Sequence, residues 1–299
     1  MDANKVLIGP SSFAELDSTP LNALEKAGFK VIPNPYKRKL TKEELNALLP
    51  GVAGLIAGLE MLDREVLEKS SLKVISRCGS GLSNVDLKAA RELGIIVKNT
   101  PLAPVTSVAE LTVGCLILLV RKVAQMDQAL HAGNWLKMIG RQLSGMKIAV
   151  IGFGNIGREV GRLLAAFGAE VCPVDPLYPN STDLPTALKE ADAVSLHSSG
   201  EACILGREEF KIMKDGAYIL NAARGGLIDE AALIGALESG KVAGAWLDTF
   251  SSEPYSGPLT RFKQAILTPH IGSYTMECRK SMENEAVDNL IKAFKEAGL

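Results

Sequence analysis

The chain lacks a cysteine motif, a long apolar run and an excess of charge of either sign. Its five cysteines, Cys78, Cys115, Cys172, Cys203 and Cys278, are odd in number, and no two stand as Cys-x-x-Cys. A disulfide framework and a zinc ribbon are thereby excluded, no bound metal is expected, and a reducing compartment fits. The longest apolar stretch, 111–120, is about half of what a bilayer requires. It follows Glu110 and precedes Arg121-Lys122, so it reads as a buried helix rather than a membrane span. Met1-Asp2-Ala3-Asn4-Lys5 carries no apolar signal region, and a cytoplasmic location is expected. The formal net charge is −1 and the densest basic run is only Lys37-Arg38-Lys39, so no nucleic-acid partner is expected. There is no internal repeat and no low-complexity tract.

What is present is length and alternation. At 299 residues the chain exceeds the usual size of one domain, so two are expected. In the first third, short apolar runs at 5–9, 31–32, 54–57, 73–76 and 95–97 read as strands. Amphipathic segments at 20–27, from Thr41, at 63–69 and at 84–93 read as the helices between them. Thr41-Lys42-Glu43-Glu44 has the cap and the acidic third position of a capping box. Segment 105–130 has neither proline nor a turn cluster and reads as one long, mostly buried helix. A second strand–helix series starts at Lys147, with strands at 147–151, 170–174, 193–196, 218–221, 244–247 and 265–268. A charged helix, 276–297, closes the chain. Such alternation predicts an α/β fold of two Rossmann-like domains with parallel sheets.

Within that series, Gly152-Phe153-Gly154-Asn155-Ile156-Gly157 follows the β-branched strand Ile148-Ala149-Val150-Ile151 and opens a helix. The spacing alone is weak evidence; the strand–turn–helix context makes it a dinucleotide-binding fingerprint. Gly152 permits the turn, Gly154 lets the pyrophosphate approach the backbone, and Gly157 lets helix and strand pack closely. Asn155 and Ile156 lie at the helix N-terminus, whose amides favour phosphate. Asp175 ends the next strand, 18 residues beyond Gly157. A carboxylate there accepts from ribose hydroxyls and repels a 2′-phosphate, so the expected cofactor is NAD rather than NADP.

Four further blocks occur in order: Arg77-Cys78-Gly79-Ser80-Gly81 with Asn84-Val85-Asp86; Ser107-Val108-Ala109-Glu110; Asn221 to Glu230 around Arg224-Gly225-Gly226; and Leu247-Asp248-Thr249-Phe250, Glu253-Pro254 and Thr268-Pro269-His270-Ile271-Gly272. In this order they resemble the D-isomer-specific 2-hydroxyacid dehydrogenases, and most closely the phosphoglycerate dehydrogenase-like members, enzymes of serine biosynthesis. The resemblance implies an NAD domain, 101–270, inserted into a discontinuous flavodoxin-like substrate domain, 1–100 and 271–299. It implies a homodimer held through the long helix and its surroundings. It also implies the catalytic set Arg224, Glu253 and His270. Arg224 would bind and polarise a 2-keto acid through paired hydrogen bonds. His270 would protonate the developing alkoxide, since an imidazole titrating near about 6.5 serves both directions. Glu253 would hold that ring charged and fix its tautomer. By the same resemblance Arg77 and the amides of Ser80 and Gly81 meet the substrate. Ser107, Ser198, Ala222 and Asp248 line the cofactor site, with Asp248 on the nicotinamide carboxamide. His131 and His197 read as structural.

The chain departs from the family pattern in three places. Segment 198–203 replaces a proline-containing loop, Ser83 stands where Asp is common, and Asn155 stands where Arg is frequent. The expected activity is hydride transfer between NAD and a small D-2-hydroxy acid. D-3-phosphoglycerate is the first candidate, with Arg77 and the 37–39 cluster as cations for its phosphate. Glyoxylate or hydroxypyruvate reduction is the alternative. From another class, an NAD(H)-sensing regulatory protein of the same fold is a further reading.

Overall fold

The computed structural model describes residues 4–200 and 202–298. Position 201, inside the departing 198–203 loop, and positions 1–3 of the N-terminal segment lie outside them. The chain forms two compact units, residues 1–104 with 274–299 and residues 105–273, so the second interrupts the first.

The first unit runs β1 (Lys5–Ile8), α1 (Thr19–Lys26), β2 (Lys30–Ile32), α2 (Lys42–Leu48), β3 (Gly54–Ala57), α3 (Arg64–Lys69), β4 (Val74–Arg77), α4 (Leu87–Glu92) and β5 (Ile96–Asn99). All pairings are parallel, in the order β2-β1-β3-β4-β5. The capping box at Thr41 is formed: its hydroxyl accepts from Glu44 N while the Glu44 carboxylate accepts from Thr41 N. Asp63 and Asp86 cap α3 and α4 in the same way with their carboxylates, satisfying amides that have no partner inside the helix. The predicted 84–93 helix therefore starts only after Asp86. Asn84 is engaged elsewhere, its side-chain amide donating to the carbonyls of Gly58 and Glu60.

The second unit runs α5 (Val105–Val120), α6 (Val123–His131), β6 (Lys147–Ile151), α7 (Asn155–Ala166), β7 (Glu170–Val174), α8 (Leu184–Glu190), β8 (Ala193–Leu196), α9 (Arg207–Ile212), β9 (Ala217–Asn221), α10 (Glu230–Glu238), β10 (Val242–Leu247) and β11 (Ala265–Leu267). Its sheet is also parallel, in the order β11-β10-β9-β8-β6-β7. Every residue of β8 and β9 is buried, as helices on both faces of a parallel sheet require. The expected continuous helix over 105–130 is instead two helices. The break falls at Lys122, whose φ of 55° is left-handed. Its cause lies far along the chain: Arg141 N donates to the Val120 carbonyl freed there, and a Cβ at Gly140 would come within 2.6 Å of that same oxygen.

The last helix, α11 (Met276–Glu296), returns to the first unit. There it buries Met282, Ala286, Val287, Leu290 and Phe294 against Val6, Ile8, Ile56 and Val74 of the sheet. Fully burying the four larger of these side chains contributes roughly 1.5–3 kcal/mol each, which explains how a charge-rich helix is held by one stripe.

Candidate active site

Both sheets reverse their strand order once, and in the second unit the reversal lies between β6 and β8. The glycine loop leaves β6 at that point. Gly152 has a φ of 86°, and a Cβ on it would lie 2.5 Å from Ser198 N at the end of β8. A Cβ on Gly157 would lie 2.1 Å from the Gly152 carbonyl, so only glycine lets α7 approach. At Gly154 a Cβ would meet no protein atom within 4 Å. That side is open to a ligand, and the loop, the N-terminus of α7 and the acid beyond them fit a dinucleotide. Asp175 also stiffens the loop. Its Oδ2 accepts from Phe153 N at 2.7 Å and its Oδ1 from Leu177 N at 2.8 Å. Each oxygen keeps a lone pair for a further donor. The charge lost at Asn155 is made up one turn later, where Arg158 Nη2 donates to Asn155 Oδ1 at 3.2 Å. Ile156 and Ala222 pack on the adjoining core, and Ser107 is buried in the first turn of α5.

Arg224, Glu253 and His270 come from three loops of this same unit. Asn221, the last residue of β9, clamps the arginine turn. Its amide donates to the Arg224 carbonyl at 2.8 Å, and its Oδ1 accepts from Ala223 N at 3.0 Å. Arg224 Nη1 donates to the Ala223 carbonyl at 2.6 Å. A Cβ on Gly225 would fall 2.0 Å from the Phe250 carbonyl carbon, so this turn rests directly on the backbone that leads to Glu253. Glu253 accepts from Phe250 N through Oε1, and its Oε2 lies 3.0 Å from His270 Nδ1. A carboxylate at that nitrogen makes it the proton-bearing one and leaves Nε2 for chemistry. His270 has a left-handed φ of 56°, a conformation that must be held by its surroundings. Asp248 supplies the hold: Oδ1 accepts from Thr268 Oγ1 at 2.6 Å and Ile271 N at 2.9 Å, and Oδ2 from Gly272 N at 2.8 Å. Trp246 Nε1 donates to Thr268 Oγ1 behind it. Three acceptor positions of Asp248 thus serve the chain around His270, a use the sequence reading did not anticipate.

In the first unit, Arg77 ends β4 and donates to the Cys78 carbonyl. The loop after it is pinned by Gly79 N donating to Thr100 Oγ1 and by Asn99 donating to the Ser80 carbonyl. Of the 37–39 cluster, Arg38 is engaged in a two-point ion pair with Glu44, at 2.6 and 2.9 Å. His197 is half-buried, with Ser195 Oγ 2.7 Å from Nε2, and desolvation lowers its pKa to about 4. His131 is exposed on α6 beside Asp127. Among the described residues no group of three or more His, Cys, Asp or Glu is placed to hold a metal ion.

Asn221, Thr268, Trp246 and Phe153 were missed as supporting residues. Asn221 carried a signal, a lone amide ahead of the Ala-Ala-Arg turn; the others could be found only once the strands were aligned.

Residues 113–272 match the D-isomer specific 2-hydroxyacid dehydrogenase, NAD binding domain. Over 298 residues the chain is 37% identical to the hydroxypyruvate reductase of Thermotoga maritima, covering 92% of this chain and 96% of that protein. Over 275 residues it is 38% identical to the D-3-phosphoglycerate dehydrogenase of Methanocaldococcus jannaschii, covering 86% of this chain and 52% of the relative, so it spans about half of that protein's length. The crystal structure of a glyoxylate reductase from Paecilomyes thermophila aligns with a TM-score of 0.89 at 30% identity, covering 99% of this chain and 97% of that one. A dinucleotide-type loop in an inserted parallel-sheet unit, and a domain match over more than half the chain, lead to one assignment: the chain belongs to the D-isomer specific 2-hydroxyacid dehydrogenases.

Proposed function

We propose that the chain reduces a small unphosphorylated 2-keto acid, glyoxylate or hydroxypyruvate, with NADH. The observation that carries the chemistry is the joining of Glu253 to His270 Nδ1, with Arg224 braced against the same backbone. When bound, the nicotinamide supplies or accepts the hydride. Arg224 holds the substrate by paired charge-assisted hydrogen bonds and polarises its carbonyl. His270 Nε2 donates the proton that the developing alkoxide takes, while Glu253 keeps the ring oriented and stabilises its charge. Asp248 fixes the backbone that presents the ring, and its remaining lone pair suits the nicotinamide carboxamide. The amides of Ser80 and Gly81, with Arg77, take the substrate carboxylate. Asp175 favours NAD over its 2′-phosphorylated form.

The bidentate tie between Arg38 and Glu44 supports the unphosphorylated substrate, since it removes a cation expected to serve a phosphate. So does the near full-length similarity to a hydroxypyruvate reductase. D-3-phosphoglycerate, favoured by the Asn221–Glu230 pattern, is the second reading, supported by relatives of that name. Exposure of Trp135 (80%) and Ile139 (93%), following α6, supports a homodimer. A cytoplasmic location is part of the same reading; among the described residues no helix is long and apolar enough to cross a membrane.

Steady-state rates on glyoxylate, hydroxypyruvate and the phosphorylated keto acid, each with NADH and NADPH, test this. The reading predicts the highest kcat/KM for an unphosphorylated acid with NADH. Preference for the phosphorylated acid would move the assignment to the second reading. Binding of NADH without turnover of any of them would favour an NAD(H)-sensing role.

A further inference from the structure

The two sheets differ at the points where their strand order reverses. In the first sheet, between β1 and β3, the buried Glu60 side chain fills the place, and a Cβ on Gly9 would lie 1.9 Å from its Oε1. In the second sheet the backbone at Gly154 is open. There α7 begins, and the first amides of a helix have no partners within it. They and the helix field suit phosphate. The segment 152–157 itself brings no charged side chain to that place.

The next residue along the chain is Arg158, exposed in the first turn of α7. Its guanidinium folds back toward the start of the helix. Nε donates to the Gly154 carbonyl at 3.3 Å, and Nη2 donates to Asn155 Oδ1 at 3.2 Å. Both acceptors are uncharged. The acids nearby in the chain and the loop are engaged elsewhere. Glu159 takes Arg162 through both oxygens, at 2.7 and 2.9 Å, and Asp175 takes the Phe153 and Leu177 amides. A cation over the first turn stands against the helix field, which favours anions at the N-terminus and disfavours positive charge there. An anion bound at the glycine loop removes that conflict, because it meets the helix amides and the guanidinium together.

We propose that Arg158 binds the pyrophosphate of the dinucleotide, and that Asn155 is a positioning residue that draws the guanidinium back over the glycine loop. Where an arginine at 155 would carry the charge itself, asparagine accepts from Arg158 and sets its direction. A pair one helical turn apart thus supplies the cation that position 155 lacks. The pair acts on the linked phosphates and not on the adenosine. Its role is the same whichever acid the chain reduces, so it does not depend on the keto-acid reading.

The test measures binding and not turnover. NADH fluorescence gives the Kd of NADH for the wild type, Arg158→Ala and Asn155→Ala, and its displacement gives those of ADP and adenosine. Arg158→Ala should weaken NADH and ADP about tenfold and adenosine by less than about twofold. The Kd of ADP should also depend less steeply on salt in that variant. Asn155→Ala should weaken ADP about threefold and leave adenosine unchanged. ADP held equally well by the wild type and Arg158→Ala overturns the proposal. So does an equal loss on ADP and adenosine, since the side chain would then only shape the loop. An Asn155→Ala protein that matches the wild type on ADP removes Asn155 from its positioning role. Should Arg158→Ala not fold, Arg158→Gln, which keeps a donor without the charge, is read in the same way. A wild-type chain that binds NADH but turns over no keto acid ends the keto-acid reading and leaves this result standing; one that binds no NADH overturns the proposal.

Discussion

Asp248 is a buried polar side chain and His197 a half-buried one, and they do opposite things. Asp248 accepts from three donors and so holds the backbone of 268–272. His197 has Ser195 as its side-chain neighbour, and desolvation holds the ring neutral by lowering its pKa to about 4. The sign of the pH dependence follows. The unfolded ring takes a proton below about 6.5 while the folded ring does not. Its contribution to stability is therefore complete above about 6.5 and is lost as the pH falls from there through about 4. The loss is on the order of 3 kcal/mol, for a pKa that goes from 6.5 to about 4. His197→Gln keeps a polar partner for Ser195 and does not titrate. Urea unfolding from pH 7 to pH 4 should show a shallower decline for the variant, and parallel curves would contradict the account. His197, together with His131, reads from the sequence as structural. The work of Asp248 was hidden because its donors lie twenty or more residues away and meet it only across β10 and β11.

At the scale of elements, two glycines near the arginine turn separate packing from propensity. Gly225 lies against the Phe250 backbone, where a Cβ has no room. Gly235 is exposed in α10, where a Cβ would meet nothing within 4 Å. Gly225→Ala should displace the turns carrying Arg224 and Glu253, lowering both Tm and kcat/KM, the latter about tenfold or more. Gly235→Ala should stabilise by roughly 0.5–1 kcal/mol and leave kcat/KM unchanged. Thermal melts and initial rates on both variants check this; a harmless Gly225→Ala would show that the two turns do not brace each other. Most strands and helices were legible because apolar runs and Asp or Thr caps mark them locally. The break between α5 and α6 was not. It has no proline or glycine of its own, and it is stabilised by Arg141 and Gly140, which close on Val120 from beyond α6. The start of α4 was displaced for a similar reason, Asn84 being held by the turn after β3.

At the scale of the whole chain, two parallel sheets carry two differently used reversal points. One presents open backbone at Gly154 beside Asp175, and the other is closed by the buried Glu60. The family was legible because Arg224, Glu253 and His270 each stand in a short, ordered motif. The substrate was not, because which cations are engaged, as Arg38 is by Glu44, is set by packing and not by order in the chain. The central claim is that this arrangement moves a hydride and a proton to a small 2-keto acid. Its most direct test is the rate of NADH oxidation with glyoxylate or hydroxypyruvate by the wild-type chain and by His270→Asn, alongside NADH binding to each. The account predicts turnover by the wild type and a loss of about 10²–10⁴ in kcat for the variant, with NADH affinity retained. Undiminished turnover by His270→Asn would contradict it.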